Sequence, residues 1–148
     1  MAEKTPFFLT ESSPSVQIHL NILQGVIERM ASNSNSSKAW CITIVSAILV
    51  VVADKGKPDY AYIAFIPTLL FFALDTYYLA LEKGFRNTYN NFVGRLHSGV
   101  ANPSDLFAVT PSGSAWRHRF DAILSFSVWG FYLTISGLIV IAKCIVIA

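Results

Sequence analysis

Charge is scarce in this chain. Only 14% of its 148 residues are charged, and 11 basic against 9 acidic side chains leave a formal +2. That balance is too small to bring nucleic acid in as a partner. Cysteine is rarer still: Cys41 and Cys144 match no metal or redox spacing and read as two apolar thiols. No glycine-rich phosphate loop, nucleophile elbow, HExxH or Cys/His cluster is present. His19, His97 and His118 are scattered near loops or interfaces, where surface or capping roles are expected. Asp105 and Asp121 have no acidic neighbour in sequence. These absences point away from an enzyme and from any cofactor. A secretory signal is missing too, because Glu3, Pro6 and Glu11 interrupt the apolar patch Phe7-Phe8-Leu9. Membrane insertion is therefore expected to be directed from within the chain.

What the chain has in abundance is apolar surface, 53% of residues, with an aromatic share of 14% that gathers near the ends of apolar runs. This exceeds the needs of a one-core soluble domain and matches the aromatic belts of membrane interfaces. Two apolar runs, Ala39–Ala53 and Tyr60–Leu74, flank the turn Asp54-Lys55-Gly56-Lys57-Pro58. Each continues outward into polar sequence with helical periodicity. The pattern predicts an all-α integral membrane protein with three transmembrane helices and a long helical hairpin extending into the cytoplasm.

Residues 1–12 read as a flexible arm. Ser13-Pro14 is a helix start, serine as N-cap and proline at the first position. Val16, Leu20, Leu23, Ile27 and Met30 then form an apolar stripe. The Ser/Asn tract 32–38 reads as loop or as helix, since Ser and Asn compete for backbone hydrogen bonds but neither Gly nor Pro occurs there. Its Asn35-Ser36-Ser37 fits a glycosylation sequon, which would face the cytosol. The apolar run after it makes about 22 Å of helix, short of a bilayer core of about 30 Å, so span 1 (about 36–53) must borrow the end of the tract. Span 2 (about 59–76) carries Pro67, which predicts a bend and a freed Ile63 carbonyl. Leu81, Phe85, Tyr89, Phe92, Val93 and Leu96 share the face of its outward extension, and the hairpin ends near His97. Residues 98–115 form a loop, with Phe107 and Val109 as its expected pins. Residues 116–148 comprise an interfacial start and span 3 (about 123–142), with Lys143 snorkelling at the far end.

If all three runs span, eight basic residues (Lys4, Arg29, Lys38, Lys83, Arg86, Arg95, Arg117, Arg119) lie on one side and three (Lys55, Lys57, Lys143) on the other. The positive-inside rule then sets a cytoplasmic N-terminus and a periplasmic C-terminus in a bacterial inner membrane. Cys41 and Cys144 fall at opposite faces, too far apart for a disulfide. Folding about Gly56 places Lys38 beside Leu74 and Asp75, and Glu28 within reach of Lys83 or Arg86. Asn33, Ser34, Ser37, Lys38 and Asp75 are thus candidates for a pore lining or a membrane-boundary anchor. Asp75 is central because an acid costs on the order of 3 kcal/mol at the bilayer centre. Ser127, Gly130, Thr134 and Gly137 form a small-residue stripe suited to helix packing within or between chains. Arg95, Arg117 and Arg119 are candidates for lipid headgroups or an anionic ligand.

The segments Leu23–Ala31, Lys38-Ala39-Trp40-Cys41 and Leu74–Glu82, with the Asn/Ser tract between the first two, resemble small bacterial multi-span membrane proteins. Their plan, a two-span hairpin with cytoplasmic helical extensions, is similar to the SLATT class of membrane effectors over roughly residues 20–97. This chain departs from it by adding a third span. The resemblance implies an oligomerising effector that permeabilises the inner membrane in antiviral defence, alongside a nucleotide-signalling or TIR-type protein. The alternative is a non-conducting scaffold or adaptor that docks a soluble cytoplasmic partner on the hairpin. Either way the lipid bilayer and further copies of the chain are the expected partners.

Overall fold

A computed structural model describes residues 9–146, all of whose regular structure is helical. Residues 1–8 of the expected N-terminal arm, Lys4 among them, lie outside the described residues. Helix α1 (Pro14–Lys55) runs 42 residues without a break and ends at Gly56, which takes the left-handed conformation (φ 60°). A 3-10 helix (Pro58–Ala64) turns the chain, and α2 (Phe65–His97) returns alongside α1. A short 3-10 turn (Pro103–Asp105) lies in the loop that follows. Then come α3 (Ala115–Ile123), α4 (Phe126–Ile141) and a final π turn (Ala142–Val146).

Three helical stretches, Pro14–Lys55, Pro58–His97 and Phe126–Cys144, are long and apolar enough to cross a membrane. The protein is therefore a multi-span helical membrane protein, and its hairpin spans far more than one bilayer core: α1 alone is about 63 Å long.

The Ser/Asn tract is helix, and its side chains explain why. Ser37 Oγ donates back to the Asn33 carbonyl at 2.9 Å, and Ser34 Oγ donates to Asp75 on α2. Hydroxyls that could unravel the backbone are thus engaged in ways that leave the helix intact. Ser13 sits at the N-cap position, but its hydroxyl turns back to Thr10 instead of capping α1. Pro67 causes no mid-span break, because it falls in the first turn of α2, where a missing N–H costs nothing. The preceding residues take the tighter 3-10 form, and Phe65 N–H turns to the carbonyls of Tyr62 and Ile63. The third apolar stretch is also divided: the chain leaves helical hydrogen bonding at Leu124-Ser125, with Ser125 at the N-cap position of α4.

Three apolar clusters form. One joins α1, the 3-10 helix and α4 through Cys41, Val45, Ala64, Val128, Tyr132, Ile135 and Ile139, with Phe71 and Phe72 of α2 packed against it. A second closes the opposite end of the hairpin with Leu9, Val16, Phe92 and Leu96, and a small third one pairs Val52 with Ala61 at the turn. At the turn, Lys143 reaches Asp59 (3.2 Å) and the Tyr62 hydroxyl (2.9 Å), so α4 ends beside the hairpin tip. Cys41 is buried, Cys144 is exposed, and neither forms a disulfide.

Candidate functional site

Between the first two clusters lies a polar layer. The buried face of α1 reads Val16, His19, Leu23, Met30, Ser34, Ser37, Cys41, Val45 and Val52. Its apolar spacing continues straight through the polar tract, so Ser34 and Ser37 are carried inward. Asp75 faces them from α2 and is fully buried, 0% exposed. Its Oδ1 accepts from Ser34 Oγ at 2.5 Å, and its Oδ2 lies 2.7 Å from Lys38 Nζ. Lys38 also donates to Ser34 Oγ at 3.3 Å and is 15% exposed. The structure therefore brings together Ser34, Lys38 and Asp75, with Ser37 in the same buried layer. Asn33 is only half-buried and contributes its carbonyl to Ser37. Two further polar atoms that the residue pattern did not single out, Thr76 Oγ1 and Tyr132 OH, are buried without a hydrogen-bond partner among the described residues.

The rest of the expected charge pairing differs. Arg86 pairs with Glu82 one turn back at 2.8 Å, and Lys83 donates to the Asp121 carbonyl at 2.6 Å. Glu28 shares an open hollow of about 420 Å³ with Arg86, alongside Gln24, Ile27, Tyr89 and Asn90, without forming an ion pair with it. A Glu–Arg pair at i, i+4 forms along one helix and orders fewer parts than a pair across two.

Phe107, one of the two expected pins of the loop, is held through its backbone instead of its ring, and polar contacts do the rest. His19 is 1% exposed, and its Nδ1 accepts the Phe107 N–H at 3.0 Å. Phe107 adopts a left-handed backbone (φ 63°) to present that N–H, while its ring stays outside. His118 Nε2 lies 2.9 Å from the Ser112 carbonyl, and Thr88 Oγ1 donates to the Thr110 carbonyl at 2.7 Å. Arg95 binds Asp105 at 3.0 Å, and Asp105 also accepts the Asn102 N–H. That backbone N–H, and then Arg95, hold the Asp105 carboxyl below its usual range. Burial lowers the His19 pKa, with Asp105 opposing part of the effect. Under the loop, His19, Asn91, Phe92, Arg95, Asp105 and Ala108 border a hollow of about 480 Å³ with a mixed lining. His19 could have been found from the sequence, since it stands three residues after Val16 and four before Leu23 on the buried stripe.

The small-residue stripe of α4 does not face the interior. Val128, Tyr132, Ile135 and Ile139 pack inward, whereas Ser127, Thr134 and Gly137 are exposed and the Phe126 ring covers Gly130. Arg117 and Arg119 are exposed on α3; Arg119 stacks over the Trp116 ring at 5.5 Å. Among the described residues no group of three or more His, Cys, Asp or Glu is placed to hold a metal ion. No family model matches the chain, and no curated protein or solved structure matches it.

Proposed function

We propose that this protein is a non-enzymatic, oligomerising membrane effector: the extramembrane hairpin receives a cytoplasmic signal and the spans carry it into the bilayer. The observation that carries this reading is the unbroken α1, one rigid rod from the loop-clasped end to the turn. Helices that continue through the boundary transmit a tilt or rotation, whereas a flexible joint at residues 32–38 would absorb it. The two hollows at the receiving end, each bordered by exposed polar groups, offer places for a partner or a small polar ligand. The exposed small-residue stripe on α4 supports self-association, because small side chains let helices approach closely in lipid. A role in antiviral defence at a bacterial inner membrane follows only from the SLATT-like plan.

A second reading is favoured by one observation. Ser34, Ser37, Lys38 and Asp75 are spent inside the chain, so a pore lined by them would require the hairpin to open. A non-conducting adaptor needs no such opening. Controlled expression in bacteria, followed by entry of a membrane-impermeant dye, separates the two. The effector reading expects dye entry and growth arrest, both altered by Asp75→Asn. Abundant, correctly inserted protein in dye-excluding, normally growing cells would overturn it in favour of the adaptor.

A further inference from the structure

A groove on the outer side of the α2–α3 contact is bordered by Phe72, Ala73 and Thr76 from α2 and by Trp116, Phe120 and Ile123 from α3. Its volume is about 360 Å³, and its lining is almost wholly apolar. α3 makes this groove because its two faces differ. His118 and Ala122 are buried, whereas Trp116 (70% exposed), Phe120 (62%) and Ile123 share another face at helical spacing. This side of α3 is a contiguous apolar surface that lipid covers without cost. The groove sits beside Asp75, where the apolar run of α2 ends, and directly precedes the exposed Leu124 and Phe126 at the start of the third span.

Polar groups join the apolar lining. Arg119 borders the groove and has no ion-pair partner among the described residues; its guanidinium rests on the Trp116 ring. Tyr77 brings a half-exposed phenol ring to the same rim. Arg117 adds a second exposed cation on α3, while Asp121 lies about 200° around the helix from Arg119. An apolar slot with a cation on its border is complementary to an amphiphile carrying an anionic head. Guanidinium also suits phosphate better than ammonium does, since it presents paired donors.

We infer that this groove is a binding site for one anionic glycerophospholipid, with an acyl chain between Phe72 and Phe120 and the phosphate on Arg119. The site is independent of whether the spans leak or merely anchor. Bound there, the lipid would extend the α2–α3 contact just before the Leu124-Ser125 break.

Native mass spectrometry of the detergent-purified protein tests the assignment, titrating phosphatidylglycerol against phosphatidylcholine of identical chains. The wild type is expected to hold the anionic lipid about fivefold more tightly, the effect of one basic residue worth roughly 1 kcal/mol at an anionic surface. Arg119→Gln, a surface change, should erase the preference while retaining the neutral lipid. Ala73→Phe should fill the groove and weaken both lipids. Phe120→Ser serves in its place should Ala73→Phe reduce helicity. Equal affinity of the wild type for both lipids, or a preference that survives Arg119→Gln, overturns the inference. So does full competition by inorganic phosphate, which would make this a simple anion site.

Discussion

The two ends of the α1–α2 hairpin are closed by different means. At the turn end, apolar side chains do almost everything, and large ones such as Val50, Ile66 and Leu69 remain exposed. At the loop end, the apolar core is small and the closure is a set of directed bonds: His19 to Phe107, Thr88 to Thr110, Arg95 to Asp105 and His118 to Ser112. The difference follows from the solvent. In lipid an outward apolar face costs nothing and backbone groups must bond within their own helix. In water an irregular loop needs partners for the backbone groups it buries. Between the ends, the Ser34–Lys38–Asp75 layer belongs to neither regime and is the most exposed to disruption.

Breaking that middle layer should have the largest effect. Asp75→Ala leaves the Lys38 ammonium, 15% exposed, without its counter-ion. Removing one partner of a buried pair costs about 3–5 kcal/mol. Thermal unfolding in detergent should show a large loss, and the double change Lys38→Met with Asp75→Leu should recover most of it. A single Asp75→Ala that unfolds like the wild type would mean that the pair is solvated and that the two ends meet without a polar junction.

The loop end should yield to steric pressure where the loop meets α2 and ignore it one helix face away. A Cβ on Gly84 would lie 2.8 Å from Pro111 Cβ, while one on Gly94 would meet nothing within 4 Å. Gly84→Val is expected to cost about 1–3 kcal/mol, the usual range for overpacking, and to free the loop for limited proteolysis. Gly94→Val should do neither. Equal proteolysis of both variants would show that the clasp is not tight.

Acid should weaken the same end more gently. His19 is held below its ordinary 6.5 by burial. Its contribution is therefore complete above pH 6.5, and stability falls below that point as the unfolded chain takes up the proton first. Protonation also removes the Nδ1 lone pair that accepts from Phe107. Melting temperatures between pH 8 and 5 should decline in the wild type and decline less in His19→Gln; parallel curves would exclude His19 as the cause.

How much of this could be read from residues alone divides along the same line. The apolar half was legible: run lengths, the turn at Gly56, three spanning stretches and the proximity of Lys38 to Asp75 all follow from spacing and mirror symmetry. The loop end was not, because its contacts join residues as far apart as His19 and Phe107 and depend on a left-handed backbone at a non-glycine residue. No local pattern encodes such a pairing. The Leu124-Ser125 break was hidden for another reason. Both flanks are apolar or aromatic, so the window from Ile123 onward reads as one span even though the helix restarts at Phe126.

The smallest effect on the isolated fold is expected at Gly137, and there the comparison extends from one chain to several. A Cβ at Gly137 would meet nothing within 4 Å, so Gly137→Leu should leave the monomer within about 0.5 kcal/mol of the wild type, as surface changes usually do. Were the face merely lipid-exposed, the added side chain would also leave the particle mass unchanged. A face that meets a neighbouring copy through small residues would lose that approach, and light scattering in detergent should then record a smaller assembly with an unaltered melting temperature. An unchanged mass would assign the stripe to lipid, and the turn end of the hairpin would have to associate through its larger exposed residues instead. The two results give opposite answers to whether the apolar end, closed so sparsely within one chain, is completed by another.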